Sequence, residues 1–137
     1  MSLKDDEREA LINLYLAKSD ETLEDARFCR ESRRWNSAAN RLYYALYHAI
    51  TALFVSDSIS VHSHNGAKIK FGQEYVLTGM ATEEEGKLLS QMESMRERAD
   101  YDVTFIASEE IIEERFEKVE KMIKHIKDLA KRNAPQP

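Results

Sequence analysis

The chain has 137 residues, 42% hydrophobic and 33% charged, a balance that suits one folded domain and not a disordered segment. It carries only 4 Gly and 2 Pro, with Pro135 and Pro137 both in the last three residues. An all-β domain needs a turn every ~8–12 residues, usually built on Gly or Pro, so a sandwich or barrel is not expected. The net charge of −5 gives no global reason for nucleic-acid binding. The one cysteine, Cys29, excludes an internal disulfide. No apolar run reaches membrane-spanning length, and Met1–Glu9 has no signal core, so a cytoplasmic protein that does not engage a membrane is expected.

In chain order the periodicity predicts five helices. The first runs from Asp5 to Arg33, with Leu11, Leu14, Tyr15, Leu23, Ala26 and Cys29 inward and a bend near Ser19-Asp20. Residues 27–41 hold five arginines (Arg27, Arg30, Arg33, Arg34, Arg41) against one acid, Glu31. This basic elbow is either a solvated helix end or a contact for a phosphate or an acidic partner. The second helix, Asn36 to Val55, repeats Ala39, Leu42, Tyr43, Leu46, Ala49, Ile50 and Leu53 at spacings of three and four. After a loop from Ser56 to Ser63, a short third helix from His64 to Leu77 carries Gly66 and Gly72.

Thr82 opens the fourth helix, with Glu85 completing a capping box, and the helix reaches Ala99 or Tyr101. Asp102 to Ala107 is a linker whose Val103, Phe105 and Ile106 are expected to pack on the bundle. Ser108 caps the fifth helix, with the stripe Ile112, Phe116, Val119, Ile123 and Ile126, and the chain is frayed from Asn133. The fold class is all-α, an antiparallel up-and-down bundle of four to five helices. Residues 1–132 form one helical domain and 133–137 a disordered tail.

Two segments carry unusual chemistry. Arg41, Tyr44 and His48 lie along one side of the second helix, with Tyr43 and Tyr47 on the neighbouring strip. Such a ladder costs desolvation unless hydrogen-bonded, and it reads either as a site wall or as a buried network fixing helix register. In the fourth helix Arg96 pairs with Asp100 and Arg98 with Asp102 at i, i+4. Arg96 and Tyr101 stand ~140° apart on an ideal helix, so they converge only if the last turn loosens. His62 and His64 alone make a weak metal site, and neither metal nor cofactor is expected.

Together these segments resemble the HEPN domain, named for higher-eukaryote and prokaryote nucleotide-binding proteins. The likeness rests on Leu16-Ala17-Lys18, the block from Trp35 to Ala49 with Asn40-Arg41-Leu42-Tyr43-Tyr44 at its centre, His62-Ser63-His64, Phe71-Gly72, and Arg96-x-x-Ala99-Asp100-Tyr101. It implies a helical bundle that dimerises. It also implies either a metal-independent ribonuclease or a non-catalytic binding module, several such proteins being toxins paired with a nucleotidyltransferase antitoxin. Active members carry an Arg followed a few residues on by His. The Arg carries over to Arg96, and Tyr101 stands at the His position.

The expected site is a cleft around Arg96 at the interface of a homodimer, binding RNA or a nucleotide. Arg96, Tyr101 and His48 are the catalytic candidates, and Asn40, Arg41, Tyr44, His64 and Asp100 the binding ones. His48 or His64 would move protons if Tyr101, with an ordinary pKa near ~10, does not. The alternatives are a non-catalytic module for a nucleotide or a nucleotidyltransferase, and a structural dimerisation domain.

Overall fold

A computed structural model describes residues 3–133. Among them are five α-helices and no strand: α1 Asp5–Glu31, α2 Trp35–Ser56, α3 His64–Phe71, α4 Glu83–Tyr101 and α5 Glu109–Lys131. One π-helical turn, Gly72–Val76, extends α3. Ion pairs give the helix directions. Arg27 meets Glu120 and Asp20 meets Lys127, so α1 and α5 run antiparallel. Arg8 at the start of α1 donates to Ser58 just past α2, so α1 and α2 are antiparallel too. His125 late in α5 meets Glu85 early in α4. The long helices therefore alternate up and down, and α3 lies in the α2–α4 connection.

Helix α2 packs against α1, α4 and α5. Ala38, Ala39, Ala45, Ala49 and Ala52 are fully buried along it, and their small side chains admit close neighbours. Leu42, Leu46, Ile50 and Leu53 fill the space between. Thr82 forms the full capping box with Glu85, and the Ser108 hydroxyl accepts from the Ile111 amide. Both helix starts thus follow the sequence pattern.

Helix α1 departs from expectation in three ways. It runs unbroken through Ser19-Asp20. Ser19 is fully buried, and its hydroxyl donates to the Ala45 carbonyl at 2.7 Å, tying α1 to α2. Leu14 faces outward, 67% exposed, while Leu16, Thr22 and Ala26 take the inner face. The helix stops at Glu31 because Arg33 adopts a left-handed φ of 59° and the Arg34 amide donates back to the Cys29 carbonyl.

The α4–α5 linker is held at one point. The Asn36 amide donates to the Phe105 carbonyl at 3.0 Å, and its oxygen accepts from the Ala107 amide at 2.8 Å. Val103 and Ile106 point into solvent instead of packing on the bundle, and only Phe105 is partly covered, beneath Arg98. At the opposite end Asp57 accepts from Tyr75, Arg132 and Asn133, joining the π turn to the end of α5. Asn133 is thus engaged, and residues 134–137 of the expected tail lie outside the described residues. No helix among the described residues is long and apolar enough to cross a membrane.

His48 sits half-buried on α2. Burial, with Lys18 of α1 and Arg41 of α2 adding repulsion, holds its imidazole below the ordinary value. The unfolded chain therefore takes up this proton first as pH falls, and the stability contributed above pH ~6.5 is lost below it. His48→Gln should flatten the fall in Tm between about pH 7 and about pH 5 relative to the parent; identical slopes would refute this. Ser19→Ala should cost about 1 kcal/mol in chemical denaturation, the net worth of one buried hydrogen bond. Leu14→Ala should change stability by less than about 0.5 kcal/mol.

Candidate functional site

Arg96 stands on the inner face of α4 and is only 5% exposed. An arginine does not deprotonate, so its charge must be met where it lies. Two ring faces of α2 meet it: the guanidinium carbon is 5.2 Å from the Tyr43 ring centre and 5.7 Å from that of Tyr44. Two carboxylates of its own helix approach without hydrogen-bonding, Asp100 at 3.7 Å and Glu97 at 3.8 Å. The Nε is enclosed and has no hydrogen-bond partner among the described residues. The fork of donors is charged, stacked and under-used.

Asp100 links this cation to α2. Its carboxylate accepts from the Asn40 amide at 3.0 Å, and the Asn40 oxygen accepts from Arg41 Nε at 2.9 Å. Arg41 also rides over Tyr44, 5.6 Å from its centre. Beside them a shallow open groove of about 380 Å³ is lined by Cys29, Asn36, Ser37, Asn40, Arg41, Ala99 and Asp100. Burial pushes the Cys29 thiol up, against the pull of Arg41.

The third contributor is His64, the first residue of α3. The Ser63 hydroxyl accepts from the Gly66 amide and fixes the turn that starts the helix. The His64 ring enters the tyrosine cluster, 4.6 Å from Tyr47, 5.5 Å from Tyr43 and 5.9 Å from Tyr44, centre to centre. Its Nδ1 shares a 2.8 Å hydrogen bond with the Tyr43 hydroxyl. Burial, with the Glu93 carboxylate nearby, raises the Tyr43 phenol and keeps it protonated. Glu93 is itself buried and lies 3.4 Å from the Lys68 ammonium, an ion pair without a hydrogen bond at Oε2.

Of the residues singled out in sequence, Arg96, Asp100, Asn40, Arg41, Tyr44, His48 and His64 form one connected set. Tyr44 touches most of it, with His48 at the edge, 6.3 Å from its ring centre. Tyr101 stands apart. Helix α4 is intact to its last residue, the Asp102 amide closes it onto the Arg98 carbonyl, and Tyr101 is 78% exposed. The last turn does not loosen, so Tyr101 does not meet Arg96. Arg98 turns to the Phe105 ring at 4.4 Å and makes no ion pair with Asp102.

Spacing on α2 alone did not reveal what Tyr43, Tyr47, Glu93 and Lys68 do. Glu93 and Arg96 are i, i+3, and His64 and Lys68 are i, i+4, a signal that was available in the sequence. The basic elbow is largely answered within the chain: Arg27 pairs with Glu24 and Glu120, and Arg30 stacks on Phe116 at 4.1 Å and faces Glu113. Arg33 and Arg34 remain exposed. Among the described residues no group of three or more His, Cys, Asp and Glu is placed to hold a metal ion.

Known proteins bear on this geometry. The UPF0332 protein of Thermotoga maritima is 32% identical over 123 residues, covering 90% of this chain and 93% of that protein. Two proteins of Methanocaldococcus jannaschii, each named a putative toxin, are also similar. One is 29% identical over 96 residues, 70% of this chain and 69% of that protein. The other is 26% identical over 89 residues, 65% of this chain and 60% of that protein. The HEPN domain matches residues 12–129, a span that takes in every residue of the cluster, and the chain belongs to the HEPN domain family.

Proposed function

We propose that this chain is a HEPN protein of a toxin–antitoxin-like system that binds RNA at the Arg96 site and cleaves it without a metal ion. In this reading two copies join around the cleft and a nucleotidyltransferase serves as antitoxin. The supporting observation is the guanidinium itself: buried, stacked on Tyr43 and Tyr44, and without a hydrogen bond at Nε. A phosphate supplies the charge and the acceptor pair that such a fork matches. Cleavage by this route needs a cation for the developing phosphorane charge and a group that moves a proton near pH 7. Arg96 serves as the first. The toxin names of the archaeal relatives agree with this reading. Tyr101, Val103 and Ile106, exposed at one end of the bundle, suit coverage by a second copy.

The exposed Tyr101 also favours a second reading, a non-catalytic module that holds a nucleotide or a nucleotidyltransferase. In calorimetry this reading requires heat on adding a nucleotide or such a partner, from a protein that leaves RNA intact.

Asp100 is the local competitor for Arg96. A phosphate that takes the fork replaces or crowds this carboxylate. Asp100→Asn keeps an acceptor for Asn40 and removes the charge, so it should tighten binding to a short single-stranded RNA several-fold. Weaker binding would show that Asp100 aids the ligand instead. Arg96→Ala should weaken binding by at least about tenfold and reduce the salt slope of log K by about one. It should also abolish cleavage and growth inhibition. Unchanged cleavage by this variant would sink the proposal.

A further inference from the structure

Within one chain the proposed cleavage lacks a base, because Tyr101 does not reach Arg96. The geometry points to His64 as that base: held by the Tyr43 hydroxyl, its Nε2 takes the 2′-hydroxyl proton of a ribonucleotide whose phosphate sits on Arg96. This assignment rests on the phosphate-binding reading of Arg96, and the substrate it names is a strand bearing 2′-hydroxyls.

Three observations carry it. First, Arg96 and His64 attend the same two rings. Arg96 lies 5.2 and 5.7 Å from the centres of Tyr43 and Tyr44, and His64 lies 5.5 and 5.9 Å from them. A cation and an imidazole thus come to one aromatic platform from two different helices, α4 and α3. Second, Nδ1 of His64 is engaged by Tyr43 at 2.8 Å, which leaves Nε2 as the ring nitrogen for a ligand, on a residue that is half-buried. Third, the start of α3 is built to hold the ring. The Ser63 cap accepts from Gly66, and a Cβ at Gly66 would stand 3.0 Å from the Ser63 oxygen. Gly66 therefore protects the cap that orients its neighbour.

The hydroxyl is the right partner for a nitrogen that must change state. It donates to Nδ1 when Nε2 carries the proton, and accepts from Nδ1–H when Nε2 is free or when the ring is an imidazolium. His48 lacks this arrangement. Among the described residues it makes only ring contacts, with Tyr44 and Tyr47, and its burial together with Lys18 and Arg41 opposes its protonation.

The step balances without a cofactor. The 2′-oxygen forms a bond to phosphorus as its proton passes to Nε2, and the bond from phosphorus to the 5′-oxygen breaks. The departing 5′-oxygen takes a proton from water, and the imidazolium returns its proton to the hydroxide so formed. The products are a 2′,3′-cyclic phosphate and a free 5′-hydroxyl. Arg96 steadies the charge on the phosphorane oxygens, and Tyr43 is a positioning residue.

The test uses the full chain with two probes, a fluorescent single-stranded RNA and its all-2′-deoxy counterpart, which binds but cannot be cleaved this way. His64→Gly should lower kcat by 10²–10⁴-fold, the range for a lost general base. It should bind the deoxy strand within about twofold of the parent, and added imidazole should restore part of the rate. Tyr43→Phe should lower kcat about tenfold with KM and deoxy-strand affinity unchanged, a split that a general loss of structure does not produce. If His64→Gly unfolds in a circular-dichroism melt, His64→Gln replaces it for the rate and affinity measurements. Cleavage by the parent that Arg96→Ala abolishes but His64→Gln leaves within twofold would overturn the His64 assignment and spare the Arg96 reading. A parent that cleaves no RNA would remove the His64 assignment and the cleavage reading together.

Discussion

A permanent positive charge is buried at the junction of α2 and α4, and the surrounding structure answers it. Moving a guanidinium out of water is expensive, and removing its partners is costlier still. Here the partners are unusual. Two tyrosine faces supply quadrupole attraction, and Asp100 and Glu97 hover beyond hydrogen-bonding distance. Tyr43 and Tyr44 can lie under Arg96 only if α2 and α4 keep one register. The buried alanines of α2 and the Asn36 clamp on the α4–α5 linker hold the elements that set it. The polar ladder of α2 is therefore tied to the register of α2 against α4, and the same residues line the candidate site.

The helices were legible because their information is local. Thr82 with Glu85, and Ser108 with the acids that follow, mark helix starts by chemistry that needs no partner far away in sequence. The apolar repeat of α2 predicts its buried face almost residue for residue. Helix α1 was harder. Ser19 looked like an interruption because Ser is a cap residue, yet its hydroxyl is satisfied by a carbonyl 26 positions away. Once that tether sets the rotation of α1, Leu14 falls on the outer face. Val103 and Ile106 misled in the same way, since β-branched residues in a linker read as anchors while the anchor is the polar Asn36.

The site was half legible. Arg41, Tyr44 and Arg96 announced themselves by spacing and by likeness to a family. Only the family likeness singled out His64, because its contact with Tyr43 joins positions 21 apart through a short glycine-bearing helix. Periodicity is blind to that distance. Tyr101 was nominated by its place in a motif, and helix geometry directs it outward: an unbroken last turn keeps it exposed and off the face that carries Arg96. A motif fixes the order of residues, and the rotation of the helix decides which of them meet.

The most direct test is a crystal structure of this protein with a short non-cleavable 2′-deoxy oligonucleotide. The expected result is a phosphate oxygen hydrogen-bonded to the Arg96 guanidinium, Asp100 drawn aside, and the sugar's 2′-carbon facing His64 Nε2. A strand bound only to exposed arginines such as Arg33 and Arg34, with Arg96 still beside Asp100, would contradict it.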